Sequence, residues 1–464
     1  MSRTPDQVLT VAQMRSAEEA LIAAGSSVEA LMDLAGRGAA EWVWRVAAHR
    51  PVTVLCGPGN NGGDGYVIAE ALRARGGAVA VVAAAEPRTD AARNARSLFQ
   101  GEVLGPEERP HGEVLVDCLF GSGLTRGLGE AHLALLGDLA RSHRHRIAID
   151  LPSGVESDSG QPLNKGLPDY DLTVALGAWK FAHYLMPACA GIGALRLVGI
   201  GVAPVAGAAR VIGPPALGAP AADAHKYRRG LLGVVGGEMP GASILASVAA
   251  QGAGAGYVKL LGEPVAAQAL SWDLVLETVP LAQALADRRY NALLVGPGLG
   301  RNARARERLL TALAAGIPTV ADADALMLLQ PGDPAPAIVT PHEGELAALE
   351  RAFGLAPAPA KPDRARALAR AGGMVVVAKG PDTVIAAPDG RLALAPRASS
   401  WLSTAGTGDV LAGIVASRLA TGIEPFAAAC EGVWLHAEAA RHCLPPFTAE
   451  DLARAVPAAY AAAL

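Results

Sequence analysis

Short, uninterrupted apolar runs ending in Gly, Pro or Asp recur along the whole chain, and no other feature narrows the fold as much. In the first half they are VTVLC at 52–56, AVAVVAA at 78–84, VLVD at 114–117 and RIAID at 146–150. In the second half GLLGVVGG, YVKLL, NALLVG, PTVADAD, AIVTP and MVVVAKG repeat the pattern. Each run is followed by a turn signal and then by helix-compatible sequence. A strand apolar on both faces must be covered on both, so this alternation implies parallel sheets between layers of helices. Ligands of such sheets bind beyond the carboxyl ends of the strands. Every chemical motif described below falls at such an end.

A chain of 464 residues exceeds one ordinary core, so several domains are expected. The break falls at 213–224, GPPALGAPAADA, which is rich in Pro, Gly and Ala and lacks an amphipathic period. This predicts a first domain over 1–212, a linker over 213–224 and a second domain over 225–464. The glycine motifs of the two halves differ, so the reading is two α/β domains in tandem rather than an internal repeat. A net charge of −4 without any Lys/Arg block argues against nucleic acid or an anionic membrane as partner. The five cysteines show no CxxC spacing, which fits reduced thiols in a cytoplasmic protein better than zinc or a disulfide framework. The opening residues lack the apolar core of a signal peptide, and no run reaches membrane-spanning length. A homo-oligomer is expected.

The sharpest signal in the first half is GPGNNGGDG at 57–65, between VTVLC and the helix-like YVIAEALRA. Its glycines permit positive φ and bring backbone N–H groups towards an anion at the start of the next helix. A plain βα turn would explain the glycines, but not the side-chain oxygens of Asn60, Asn61 and Asp64. A second cluster, VDCLFGSGLTRG at 116–127, places Asp117 at a strand end before another phosphate-compatible loop. A third, DLPSG at 150–154, puts Asp150 at a strand end as well. One such Asp reads as a cap or turn former; three converging ends read as a site.

In this order and spacing, GPGNNGGDG, DCLFGSGL and DLPSG resemble the NAD(P)H-hydrate epimerase domain. LTVAQMRSAEEA and LMDLAGRGAAE are similar to its N-terminal helices, so the likeness runs from about Leu9 to the linker. It implies a Rossmann-like, three-layer αβα domain. It also implies that Asn60, Asn61, Gly62, Gly63 and Asp64, with Gly121, Ser122, Gly123, Leu124, Thr125, Arg126 and Gly127, contact the hydrated dinucleotide. A potassium ion would be held by Asn61, Asp117 and Ser153, whose oxygens suit a hard cation. Asp150 is the implied catalytic acid/base and a substrate contact. Lys180, in LGAWKFAHYL, matches a family lysine and reads either as an assisting group or as a solvated surface lysine. Asp33 where Glu is expected, and GSG in place of GTG, are departures that remove no required group.

In the second half STAGTGDVLAG at 403–413 opens a helix with a Gly-rich turn, aiming N–H groups and the helix dipole at one point. Asp409 follows beside that anion hole, where it can take a proton from an attacking hydroxyl. The pattern resembles the signature of ribokinase-like kinases. The companion motifs HKYRRG, GGEMPGASILA, GPGLG, TPHEGE and KGPDT are instead similar, in order, to the ADP-dependent NAD(P)H-hydrate dehydratase branch of that superfamily. That resemblance implies that Ala242, Gly298, His342 and Asp409 touch the hydrate, with Asp409 catalytic. Lys379, Gly380, Pro381, Asp382, Thr383 and Gly408 would hold the adenine nucleotide. ADP with Mg²⁺ is expected, although ATP would sit on the same donors.

The implied whole is a bifunctional repair enzyme. It would epimerise the R and S forms of hydrated NADH and NADPH, then dehydrate S to NAD(P)H, releasing AMP and phosphate. The alternative is a ribokinase-type vitamin or sugar kinase carrying a non-catalytic N-terminal binding module. Retention of Asn61, Asp117, Asp150 and Ser153 argues against that module being inert.

Overall fold

A computed structural model describes residues 6–262, 273–356 and 358–464, and the chain divides into two compact units, Met1–Arg210 and Val211–Leu464. The first unit is built on a seven-stranded, all-parallel sheet. Its order is Glu102–Leu104, Val79–Ala83, Val52–Cys56, Gly112–Cys118, His143–Ile149, Leu172–Leu176 and Ala194–Val198. Alternate residues of these strands face opposite layers, as the period of a strand requires. Val54, Cys56, Val116 and Ile147 join the core under helices Val28–Ala47 and Asn60–Ala74. Leu55, Val82 and Leu115 pack on the other side against Leu135, Leu136 and Leu139 of helix Glu130–Ser142. The unit therefore has three αβα layers.

The sheet order reverses between Val52–Cys56 and Gly112–Cys118, whose last residues, Cys56 and Cys118, lie in register. A crevice opens where such an order reverses, and both glycine loops leave from this point. They can do so only because two glycines pass through spaces with no room for a side chain. A Cβ on Gly57 would lie 1.8 Å from Leu119 O, and one on Gly62 would lie 1.8 Å from Gly57 O. Leu9 pairs with Lys180 in a short parallel ladder, which leads helix Val11–Ala23 towards the same edge.

Among the described residues of the second unit, nine strands run Val275–Glu277, Tyr257–Leu261, Leu231–Val235, Tyr290–Val295, Thr319–Ala321, Ile338–Val339, Val375–Ala378, Val384–Ala386 and Leu392–Leu394. The first seven pair in parallel, and the last two pairings are antiparallel. Helix Thr407–Ala420 lies buried between the sheet and helices Pro240–Gly252, Pro425–His442 and Ala449–Ala461. Leu217, within 213–224, is buried in this packing, and its N–H donates to Ala463 O at 3.3 Å. The cysteines are free, four of them buried. Among the described residues no helix is long and apolar enough to cross a membrane.

The tight crossing at the first glycine loop yields a stability prediction. Gly62→Ala should cost the first unit at least about 2 kcal/mol, because backbone rather than a movable side chain blocks the new methyl. Denaturant unfolding would read this as a lower midpoint; an unchanged midpoint would show that the loop has room.

Candidate active sites

In the first unit the loops after Val52–Cys56, Gly112–Cys118 and His143–Ile149 close around a cavity of about 560 Å³. Of the residues expected there, Asn60, Asn61, Asp64, Asp150 and the run from Gly121 to Arg126 line it. Gly62, Gly63 and Gly127 do not. A side chain at Gly62 would press on Gly57, one at Gly63 on the Met32 thioether and one at Gly127 on Leu163 O.

Asp150 is buried at φ +68°, a left-handed conformation that Asp tolerates better than most residues. Its Oδ2 accepts from the Ser122 N–H at 2.9 Å, and its Oδ1 forms an ion pair with Lys180 Nζ. Lys180 is only 1% exposed, and its ammonium also donates to Leu176 O at 2.6 Å. The surface-lysine reading is thereby corrected, because the end of strand Leu172–Leu176 turns this side chain inward. His183 Nδ1 accepts from the Lys180 N–H at 2.9 Å, and its Nε2 lies 2.8 Å from Asp150 O. Burial and the Lys180 charge lower its pKa to about 4, so the ring is neutral and Nε2–H is the donor.

Two carboxyls of the cavity are driven apart. Burial pushes Asp64 well above the usual carboxylate range, and the neighbouring Asp150 and Glu18 charges add to the rise. Burial also opposes the charge of Asp150, but Lys180 and the Ser122 N–H overcome it and hold Asp150 below its ordinary value. One acid that keeps its proton beside one that does not is the arrangement proton-transfer chemistry needs. Glu18, raised by burial, reaches the same cavity from helix Val11–Ala23 with Arg15. In the sequence that helix is marked only by its likeness to the family's N-terminal helices; its Glu and Arg at a three-residue spacing are the available signal.

The three residues expected at a cation are arranged differently. Asn61 Oδ1 and Nδ2 are buried without a hydrogen-bond partner. Asp117 is fully buried, accepting from Leu119 N–H at 3.0 Å, Ser153 Oγ at 2.7 Å, Ser153 N–H at 3.1 Å and the Tyr170 hydroxyl. Burial nonetheless raises its pKa, despite these donors.

In the second unit the chemistry collects around Lys379, at the end of strand Val375–Ala378. Its Nζ donates to Asp322 Oδ1 at 2.7 Å and lies 3.9 Å from Glu345 Oε2. A Cβ on Gly408 would stand 3.4 Å from that Nζ, so the lysine faces the glycine turn that opens helix Thr407–Ala420. Burial alone would favour the neutral amine, but Asp322, Glu345 and Asp409 keep it charged and raise its pKa. Asp409, in the first turn of that helix, is pushed up to about 6, chiefly by burial and then by the Asp322 charge, against the pull of Lys379.

Other expected residues have evident structural work. His342 caps helix Glu343–Ala352, Nδ1 accepting from Gly344 N–H at 3.0 Å, while its side chain stays 61% exposed. Gly298, at φ +67°, accepts from Met239 N–H at 2.9 Å, and Ala242 follows in the first turn of helix Pro240–Gly252. Asp382 is buried against Lys361 Nζ at 2.6 Å and thus braces its loop. Gly380 and Thr383 bond each other across the turn, with Pro381 exposed between them. A cavity of about 310 Å³ at the end of Leu231–Val235 is lined by Gly237, Glu238, Asn302 and Arg308, among others, and by none of the expected residues.

Comparison with known proteins covers both units. The family described as NAD(P)H-hydrate dehydratase matches residues 232–457, and the YjeF-related protein N-terminus matches residues 28–182. The chain is 35% identical over 491 residues to the bifunctional NAD(P)H-hydrate repair enzyme of Gloeobacter violaceus, covering 95% of each. It is 32% identical over 459 residues to the enzyme of that name in Mycobacterium leprae, covering 93% of each. Among solved structures it is similar to an ADP/ATP-dependent NAD(P)H-hydrate dehydratase from Bacillus subtilis, at 25% identity and a TM-score of 0.47, covering 54% of this chain and 95% of that one.

The raised Asp64 has a measurable consequence. Its folded pKa lies above its unfolded value, so the folded state binds the extra proton and loses stability as pH rises between the two. Asp64→Asn should raise the thermal midpoint of the first unit, and the gain should grow as pH rises above the ordinary carboxylate range. A gain independent of pH would show that Asp64 ionises normally.

Proposed function

The chain belongs to the family of bifunctional NAD(P)H-hydrate repair enzymes, and on that premise we propose how its two sites divide the work. The first unit interconverts the R and S hydrates of NADH and NADPH; the second dehydrates the S hydrate with ADP. The supporting observation is the placement of one carboxyl per unit, Asp150 and Asp409, at strand or helix ends beside a lysine, buried in the first unit and half-buried in the second.

In the first unit Asp64 holds the proton that the departing ring hydroxyl needs. Asp150, ionised against Lys180, takes a proton from the water that returns to the opposite face. The family's potassium site would draw on Asn61, Asp117 and Ser153. The orphaned Asn61 Oδ1 supplies an unclaimed oxygen for a hard cation, and the ion would help to hold a negatively charged dinucleotide.

In the second unit Asp409 accepts the proton of the ring hydroxyl as that oxygen attacks the terminal phosphoryl group of ADP. The bond to AMP breaks, and the ring carries a phosphate that leaves far more readily than hydroxide. Its departure, with a proton from the adjacent carbon, restores NAD(P)H. Lys379 meets the phosphates, the Gly406–Gly408 turn offers N–H donors, and Gly380 to Thr383 would flank the nucleotide. Mg²⁺ would neutralise the phosphates of the nucleotide. A cytoplasmic place of action and a homo-oligomeric state complete the proposal; the free cysteines suit the first.

Two variants test the division. Asp409→Asn should cut ADP-dependent dehydration by roughly 10²–10⁴ while leaving epimerisation intact, and Asp150→Asn should do the converse. In the unaltered chain kcat/KM for dehydration should fall on the acid side with an apparent pKa of about 6. Equilibration of the epimers at an unaltered rate by Asp150→Asn would remove that residue from the mechanism.

A further inference from the structure

The turn Asp322–Ala323–Asp324 lies between strand Thr319–Ala321 and helix Asp324–Leu328, and none of its residues belongs to the motifs that identified the second site. Ala323 sits at φ +48° and ψ −123°, a region that a residue with a Cβ rarely enters. Both flanking carboxylates are buried, and each has a separate partner. Asp322 accepts from Lys379 Nζ at 2.7 Å. Asp324 accepts from the Gly300 N–H at 3.0 Å and from Arg301 Nε at 2.6 Å, at the far end of the GPGLG loop. Backbone contacts tie the turn to that loop's start: Asp322 N–H donates to Val295 O at 3.1 Å, and a Cβ on Gly296 would lie 1.7 Å from Asp322 O.

We propose that this turn is the positioning element of the second site, with Asp322 fixing the Lys379 ammonium before the glycine turn and Asp324 fixing the loop that carries Gly298. The strained alanine is what lets adjacent carboxylates diverge, one towards the nucleotide side and one towards the hydrate side. The inference rests on the phosphoryl-transfer reading of this site and adds two residues that touch neither ligand.

The groups facing Asp409 supply a readout that a merely structural role would not move. They are Asp322 and Asp324 from the turn, Lys379 from its strand end and Glu345 from helix Glu343–Ala352. His436, from helix Pro425–His442, lies 2.9 Å from Thr407 O and is lowered to about 4 by burial, so it carries no charge. Removing the Asp322 charge takes away an influence that raises Asp409, so the acid limb of dehydration should move to lower pH.

The test uses the full chain, titrated with Mg·ADP and assayed with the S hydrate. Asp322→Asn should weaken Mg·ADP binding roughly tenfold, the worth of one charged hydrogen bond, leave KM for the hydrate near its original value and shift the acid limb downward. Asp322→Glu, which keeps the charge, should retain the acid limb even where affinity falls. Asp324→Ala should raise KM for the hydrate and spare nucleotide binding. Variants that all lose both affinities together, or that change neither while the unaltered chain is active, would overturn the positioning role alone. An unaltered chain that neither binds ADP nor restores reduced nicotinamide would overturn the functional reading and this inference with it.

Discussion

Where the order of each parallel sheet reverses, two loops leave in opposite directions and their backbones must pass at contact distance. Gly57 crosses Leu119 in the first unit, and Gly237 crosses Leu299 in the second, where a Cβ would lie 2.3 Å from the Leu299 Cα. These crossings fix where every later residue of the loops can stand. Asn61 and Asp64 are carried by the first, and Gly298 with its bonds to Met239 by the second. Glycine there reflects the space between chains as much as the approach of a ligand.

On this frame the two units arrive at the same electrostatic device from unrelated motifs. Each pairs a lysine with a buried aspartate, the buried Lys180 with Asp150 and the half-buried Lys379 with Asp322. Each then sets a second carboxyl nearby, Asp64 or Asp409, whose proton is held more tightly than usual. A buried ion pair contributes little net stability, because desolvation offsets most of its attraction. It does fix a charge in place, and a fixed charge tunes the neighbouring carboxyl. The roles of the pairs differ: Asp150 lines its cavity, whereas Asp322 stands behind its lysine.

The parallel sheets were legible from apolar runs, because strands covered on both faces admit no polar alternation. The cavity of the first unit was legible at Asn60, Asn61, Asp64, the loop from Gly121 to Arg126 and Asp150, since each lies at a strand end. Lys180 was not, because nothing local distinguishes a lysine that turns inward from one that turns out. At Gly62 and Gly63 the structure shows a packing requirement that the sequence alone does not reveal, because a glycine required for packing and one required for a ligand look alike in sequence. Asp322 and Asp324 are not legible in the sequence for a related reason: their partners, Lys379 and Gly300, lie far away along the chain.

The central claim is that one chain returns the whole damaged pool to reduced dinucleotide by joining epimerisation to ADP-driven dehydration. It is tested most directly by giving the purified chain an equal mixture of R- and S-hydrated NADH with Mg·ADP, then measuring recovered reduced-nicotinamide absorbance against AMP formed. The account predicts recovery of both epimers, with one AMP for each NADH restored. Recovery that stops at the S half would contradict the epimerase assignment. Absence of recovery, with ATP-dependent phosphorylation of a vitamin alcohol instead, would contradict the account as a whole.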